Sequence, residues 1–220
     1  AVDFAEQGAS VTVNYSSSQA AADKVVDQIR RAGGQAFACR ADISRAQDVN
    51  DMVAQAVKTY GGVDILVNNA GISIDAPFLE LGEDDWDKVI AVNLKGPFLM
   101  CREAVRRWRA ESRGGRIVNV SSPAAFIGST TGHADYAASK AGLSNLTVSL
   151  AREVAGLGIY VNAVAPGMMQ TDMATAALDS NLDHYLQRIP LKRIGEPSEI
   201  AALVAFLASD RASYTTGATI

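Results

Sequence analysis

The chain has little of what metal centres and disulfide frameworks are made from. It carries two cysteines, Cys39 and Cys101, and two histidines, His133 and His184, in 220 residues. The cysteines stand far apart among apolar neighbours. They read as buried free thiols of a reducing compartment, which places the protein in the cytoplasm. The histidines have no ligand spacing between them, so no metal site is expected. Basic charge is not in excess either: 20 Lys and Arg stand against 24 Asp and Glu, for a net charge of −4. That excludes the clustered cationic footprint of a nucleic-acid binder. No apolar run approaches the ~20 residues of a membrane-spanning helix, and no stretch reads as a signal peptide. Neither nucleic acid nor membrane is an expected partner. The densest basic run, CREAVRRWRAESRGGR (101–116), reads as a solvated helix end whose cations complement the dipole.

What is present is 48% hydrophobic residues, enough for one well-buried core in a single domain spanning 1–220. Short β-rich runs alternate with longer runs of helical period. SVTVNY (10–15), QAFACRAD (35–42), VDILVNNAG (63–71), RIVNVSS (116–122) and IYVNAVAPG (159–167) read as strands, and the terminal ATI as the start of another. Between them, Ala22, Val25, Val26 and Ile29 form one helical stripe, with serine caps before it and Gly33 after it. Val49, Met52, Val53, Ala56, Val57 and Tyr60 form a second. Helices are also predicted over about 83–110, over about 135–155 with Leu143, Leu146, Leu150 and Val154 inward, and from about Pro197. This alternation predicts an α/β fold, a doubly wound parallel sheet with helices on both faces. In such a fold the ligand lies beyond the carboxyl ends of the strands. The opening AVDFAEQGAS reads as a helix end running into a strand. The N-terminal strand and glycine-rich turn of a dinucleotide-binding unit are therefore expected to be absent from this sequence, along with a short tail.

The segment DYAASKAG (135–142) sets Tyr136 four residues before Lys140, hence on one helix face. A nearby ammonium favours the phenolate, so the spacing predicts a Tyr136 phenol drawn below its ordinary value and usable in proton transfer. Small neighbours leave room for a ligand. NVSS places Ser122 at a strand end, NNAG (68–71) and APG (165–167) end two others, and Asn93 is a polar residue in an apolar helical stretch.

Taken in order, NNAG, VNLKG, NVSS, YAASKAG and VNAVAPGMMQTDM resemble the short-chain dehydrogenase/reductase family over nearly the whole chain. The resemblance implies a nicotinamide-dependent oxidoreductase with Asn93, Ser122, Tyr136 and Lys140 as its catalytic set. Tyr136 would be the general acid/base. Lys140 would lower its pKa and bind the ribose hydroxyls, Ser122 would hold the substrate oxygen, and Asn93 would hold a water linking Lys140 to solvent. Ser121 is the competing serine. The family's common serine–tyrosine spacing would land on Pro123, so a one-residue insertion in GSTTGHADY is inferred. Asn69, Ala70 and Gly71 would pass beside the adenosine, and Asp42 with the backbone of Ile43 would touch the adenine. Asp42 also reads as an N-cap for the following helix. Pro166, Gly167, Met169 and Thr171 would touch the nicotinamide end, although Met168 and Met169 also read as ordinary packing.

Cofactor choice falls on Tyr15, Ser16 and Ser17, with Ser18 following. No carboxylate there repels a 2′-phosphate, and hydroxyls beside a helix N-terminus suit an anion, so NADP(H) is favoured over NAD(H). No arginine lies in that stretch. Residues 168–196, with Met168, Met169, Met173, Leu178, Leu182, His184, Tyr185, Leu186 and Ile189, read as a substrate-covering segment, and His184 as a surface residue. The resemblance favours a 3-oxoacyl thioester (acyl-carrier or CoA) or related ketone as substrate, with a sugar or polyol (glucose 1-dehydrogenase-like) as the alternative. A catalytically inactive NADP-binding sensor is the rival class. The first of these substrates needs a basic patch for an acidic carrier protein; the Arg106–Arg116 run could serve, and a solvated helix end explains that run as well. The resemblance also implies a homotetramer through the helices around 95–110 and 137–155.

Overall fold

In the computed structural model, every residue is described except Thr130, Thr131 and Met173, and Ala176 and Ala177 are described by backbone alone. Met173 of the expected covering segment, and part of the inferred insertion, therefore lie outside the described residues. The order of elements is α1 (Val2–Glu6), β1 (Val11–Tyr15), α2 (Gln19–Arg31), β2 (Ala36–Arg40), α3 (Ala46–Tyr60), β3 (Ile65–Asn68), α4 (Glu83–Ile90), α5 (Gly96–Ala110), β4 (Gly115–Val120), α6 (Ala124–Ile127), α7 (Ala134–Val154), β5 (Ile159–Val164), α8 (Thr175–Arg188) and α9 (Pro197–Leu207). The helix expected over 83–110 is one path in which a π-helical segment, Ala91–Lys95, joins α4 to α5. Such wide turns gather at functional sites.

All strand pairs are parallel, as the alternation requires. They form two hydrogen-bonded sets, β1–β2 and β3–β4–β5, rather than one continuous sheet among the described residues. Residues 218–220 run beside β5, with Ala165 N–H donating to Ile220 O at 2.7 Å and Ile220 N–H donating to Ala163 O at 3.1 Å. The central strands are apolar and buried because helices cover both faces. Ile117, Ile159 and Val161 pack with Trp108 and Cys101 on one side, and Val118 and Val164 with Val204 and Leu207 on the other.

Several local expectations change. Ser18 occupies the N-cap of α2 but makes no side-chain capping bond. Asp42 is not the N-cap of α3, a place held by Arg45. Instead Asp42 Oδ1 accepts from the N–H and hydroxyl of Ser44 at 3.0 and 2.7 Å, while Asp48 reaches back to the Asp42 N–H. Nor is the basic run simply solvated. Arg106 and Arg107 pair with Glu103, and Arg113 binds Asp64 and the Val63 carbonyl. Arg116 stacks on Tyr160 and pairs with Asp210. Those cations brace the fold and are not a free patch. Both cysteines are free and buried, and no described helix is long and apolar enough to cross a membrane.

Candidate active site

The carboxyl end of β4 and the first turns of α7 build the site. Ser121 and Ser122 follow β4, and alternation of side chains along an extended chain sends them opposite ways. Ser121 turns inward, where its hydroxyl lies 2.7 Å from Ser144 Oγ and donates to the Lys140 carbonyl at 3.1 Å. Ser122 is half-buried, and its Oγ accepts the Ala124 N–H at 3.2 Å. Of the two serines, only Ser122 faces Tyr136.

Tyr136 and Lys140 sit one turn apart on α7, with Nζ 5.5 Å from the centre of the phenol ring. Lys140 is buried and donates to the Val120 carbonyl at 2.7 Å. Burial pulls its ammonium down to about 8. The predicted lowering of Tyr136 is not found. Burial pushes the phenol above its ordinary value, and a hydrogen bond from Ser122 pulls less strongly the other way. The reason is that loss of solvent penalises both charged forms, while the ammonium is engaged by a strand carbonyl.

Asn93 lies in the π-helical segment and is wholly buried. Its Oδ1 accepts the Ile72 N–H at 2.8 Å, and its Nδ2 donates to Ile72 O at 2.8 Å and Ser139 Oγ at 3.1 Å. Both amide hydrogens are thus committed to protein. Asn93 pins the loop after β3 to α7, because the Ser139 hydroxyl in turn donates to Tyr136 O at 2.7 Å. Gly71 closes the group: a Cβ there would stand 3.3 Å from Lys140 Nζ and 3.4 Å from Asn93 Oδ1.

Three buried side chains that sequence reasoning left without a role lie under this group. Asn68 Nδ2 donates to Asn119 Oδ1 at 2.8 Å, and Asn119 Nδ2 donates to Thr147 Oγ1 at 2.8 Å. They cross-link β3, β4 and α7 behind Tyr136 and Lys140. The available signal was an asparagine inside each of two apolar strands, where an unpaired amide is costly. Ser139 and His133 were also missed. His133 Nδ1 lies 3.0 Å from the Ile74 carbonyl and 3.2 Å from Ser73 Oγ. A carbonyl only accepts, so Nδ1 carries the proton. With the Ala76 N–H donating to Gly132 O, this ties the loop after β3 to the start of α7.

The residues expected to hold a dinucleotide lie at neighbouring strand ends. Tyr15 closes β1, with Ser16 and Ser17 exposed after it. Asp42 is tied down as described, and the Ile43 side chain is buried in the core with Leu99. Asn69 and Ala70 are exposed, as are Gly167 and Thr171, and Pro166 is half-buried. Met169 lies against Gly195, where a Cβ would stand 2.6 Å from its sulfur, so its side chain packs within the chain. Exposed hydroxyls and backbone along the strand ends, with room kept open by Gly71 beside Lys140, fit a nicotinamide dinucleotide. Among the described residues no cluster of metal-ligating side chains occurs.

Comparison with known proteins agrees with this geometry. A family model described as enoyl-(acyl carrier protein) reductase matches residues 1–220. The chain is 45% identical over 220 residues to a 3-oxoacyl-(acyl-carrier-protein) reductase FabG of Staphylococcus epidermidis, covering 100% of this chain and 89% of that protein. It is 42% identical over the same span to a 3-oxoacyl-(acyl-carrier-protein) reductase of Synechocystis, covering 87% of it. A short-chain type dehydrogenase/reductase from Mycobacterium marinum superposes with a TM-score of 0.96 at 33% identity, over 100% of this chain and 86% of that one. With a parallel α/β fold, the Ser122–Tyr136–Lys140 constellation at its strand ends and relatives matched along its whole length, the chain is an NAD(P)-dependent oxidoreductase acting on an alcohol or ketone and belongs to the short-chain dehydrogenase/reductase family.

Proposed function

We propose that the chain reduces the 3-oxo group of an acyl thioester, with NADPH as cofactor and Asn93, Ser122, Tyr136 and Lys140 as its catalytic machinery. The observation that carries the reading is the Ser122 hydroxyl facing Tyr136, with the Lys140 ammonium one turn behind. The cofactor, when bound, supplies a hydride to the carbonyl carbon. Everything else falls to the chain. Ser122 accepts the Ala124 N–H and turns its hydroxyl toward Tyr136, from where its proton can pass to the substrate oxygen when that oxygen arrives. Tyr136 is held above its ordinary value and so is fully protonated at neutral pH. It delivers that proton to the same oxygen as negative charge grows there. Hydride to carbon and proton to oxygen give the secondary alcohol. Lys140, cationic below about pH 8, stabilises the phenolate left behind and binds the ribose hydroxyls. Asn93 and Gly71 hold the floor on which this happens.

Tyr15, Ser16, Ser17, Asp42, Asn69, Ala70, Pro166, Gly167 and Thr171 form the cofactor surface in this reading, with Ile43 and Met169 contributing backbone only, since their side chains pack inside the chain. NADP(H) is preferred because no carboxylate follows β1. Phe78 and Leu79 in the turn after β3 and Phe126 and Ile127 in α6, all exposed, suit an acyl chain better than a sugar. The groove between α5 and α7, lined by Phe98, Val105, Leu146 and Leu150, serves a homotetramer, and two buried thiols suit the cytoplasm.

The test is turnover of acetoacetyl thioester with NADPH by the full-length protein, with glucose and NADP⁺ run in parallel. Rapid reduction that falls 10²–10⁴-fold in Tyr136→Phe is expected. Turnover of glucose alone would replace the substrate class, and cofactor binding with no turnover, unchanged by the substitution, would favour a sensor.

A further inference from the structure

The cofactor reading leaves a gap. A 2′-phosphate carries up to two negative charges, and the segment after β1 offers only hydroxyls and backbone. The fold brings a cation there from the next strand. In the parallel register of β1 and β2, Tyr15 pairs with Arg40, and these are the last residues of both strands. Paired residues point to the same face, so Arg40 stands at the carboxyl edge beside Ser16, Ser17 and Ser18. Its Nε donates to the Ser16 carbonyl at 3.4 Å, which aims the guanidinium along the serine segment. Arg40 is exposed, and among the described residues it forms no ion pair, unlike Arg106, Arg107, Arg113 and Arg116. The carboxylate nearest to Arg40 in sequence is Asp42, and its Oδ1 is already held by the N–H and hydroxyl of Ser44. Ser16, Ser17 and Ser18 are exposed in the same segment, and the Ser18 hydroxyl is not used in capping α2.

We propose that Arg40 binds the 2′-phosphate of NADP(H) and sets the preference for it over NAD(H). The proposal rests on the cofactor reading above and adds to it the residue that supplies the charge. A guanidinium presents two parallel N–H donors to phosphate oxygens, and such charge-assisted pairs are among the stronger contacts available at a surface. Ser16 and Ser17 complete the shell as neutral donors. Tyr15 and Arg40, paired at the ends of β1 and β2, would hold the adenosine end.

The test uses the full-length protein, with Arg40→Gln and Arg40→Lys. Binding of 2′,5′-ADP and of 5′-AMP is measured by calorimetry, beside KM for NADPH and NADH. Wild type is expected to bind 2′,5′-ADP more tightly than 5′-AMP. In Arg40→Gln, 2′,5′-ADP binding should weaken roughly 10–100-fold with 5′-AMP binding unchanged. KM for NADPH should rise in step at constant kcat, and Arg40→Lys should recover part of the loss. If wild type prefers 2′,5′-ADP and Arg40→Gln keeps that preference, Arg40 is overturned while the NADP reading stands. If wild type does not distinguish the two nucleotides, both fall.

Discussion

Two regions meet at the same sheet edge and are built on opposite terms. The floor around Tyr136 and Lys140 is buried and hydrogen-bonded within the chain. Asn93, Ser139, Ser121 and Lys140 are buried, and each bonds to named partners within the chain, with Lys140 keeping donors to spare beyond its bond to the Val120 carbonyl. Behind them Asn68, Asn119 and Thr147 repeat the arrangement. The recognition rim is the reverse: Ser16, Ser17, Arg40, Thr171, Phe78 and Phe126 are exposed, and most of their side-chain groups remain available to ligands. The difference is physical. Chemistry needs donors fixed before the substrate arrives, because reorganising them during the reaction would add to the barrier. Recognition needs side chains with unfilled bonding capacity. In the proposed function the floor holds the reacting groups in place, and the rim selects the cofactor and the carbonyl compound.

Substitutions can break this contrast. The largest effect belongs to the floor, in the 10²–10⁴-fold loss of kcat expected for Tyr136→Phe. Next comes Thr147→Val, which keeps the shape but leaves the Asn119 amide without its acceptor in the core. It should destabilise the protein by ~1–3 kcal/mol in urea denaturation. A loss no greater than that of an exposed serine substitution would show that the buried ladder does not brace the floor. The smallest effect belongs to the rim. Phe126→Ser should raise KM for a long-chain 3-oxoacyl thioester about 3–10-fold through lost apolar contact, with acetoacetyl thioester nearly unaffected. Equal effects on both substrates would take Phe126 out of the acyl path.

The floor was readable in the sequence because its residues keep fixed local spacings: Tyr136 and Lys140 are one helical turn apart, and Ser122 ends an apolar strand. The doubly wound class was readable from alternation. What stayed hidden depends on contacts between distant segments. Arg40 gains its place only through strand register with Tyr15. Ser139 looks like one small residue among several until Asn93 reaches it. The direction of the Tyr136 shift was misread because spacing reports a neighbouring charge and is silent on burial, which is the larger effect here. The choice between Ser121 and Ser122 needed the direction each side chain takes at the strand end.

The central claim is that Tyr136 works with a buried, charged Lys140. Lys140 is held at about 8 in the folded chain against an ordinary 10.5. Between those values the folded state binds fewer protons on this group than the unfolded state, so the group's contribution to stability rises with pH there. Its contribution to catalysis runs the other way, since the ammonium is lost above about 8. The most direct measurement is kcat/KM for NADPH in the reduction direction from pH 6 to 11, which reports groups of the free enzyme. The account predicts a plateau to about pH 8 and a fall above it, well below the range where the raised Tyr136 phenol ionises. A profile that stays flat past pH 10 and falls only there would mean that Tyr136 works without the charge of Lys140, and would contradict the account.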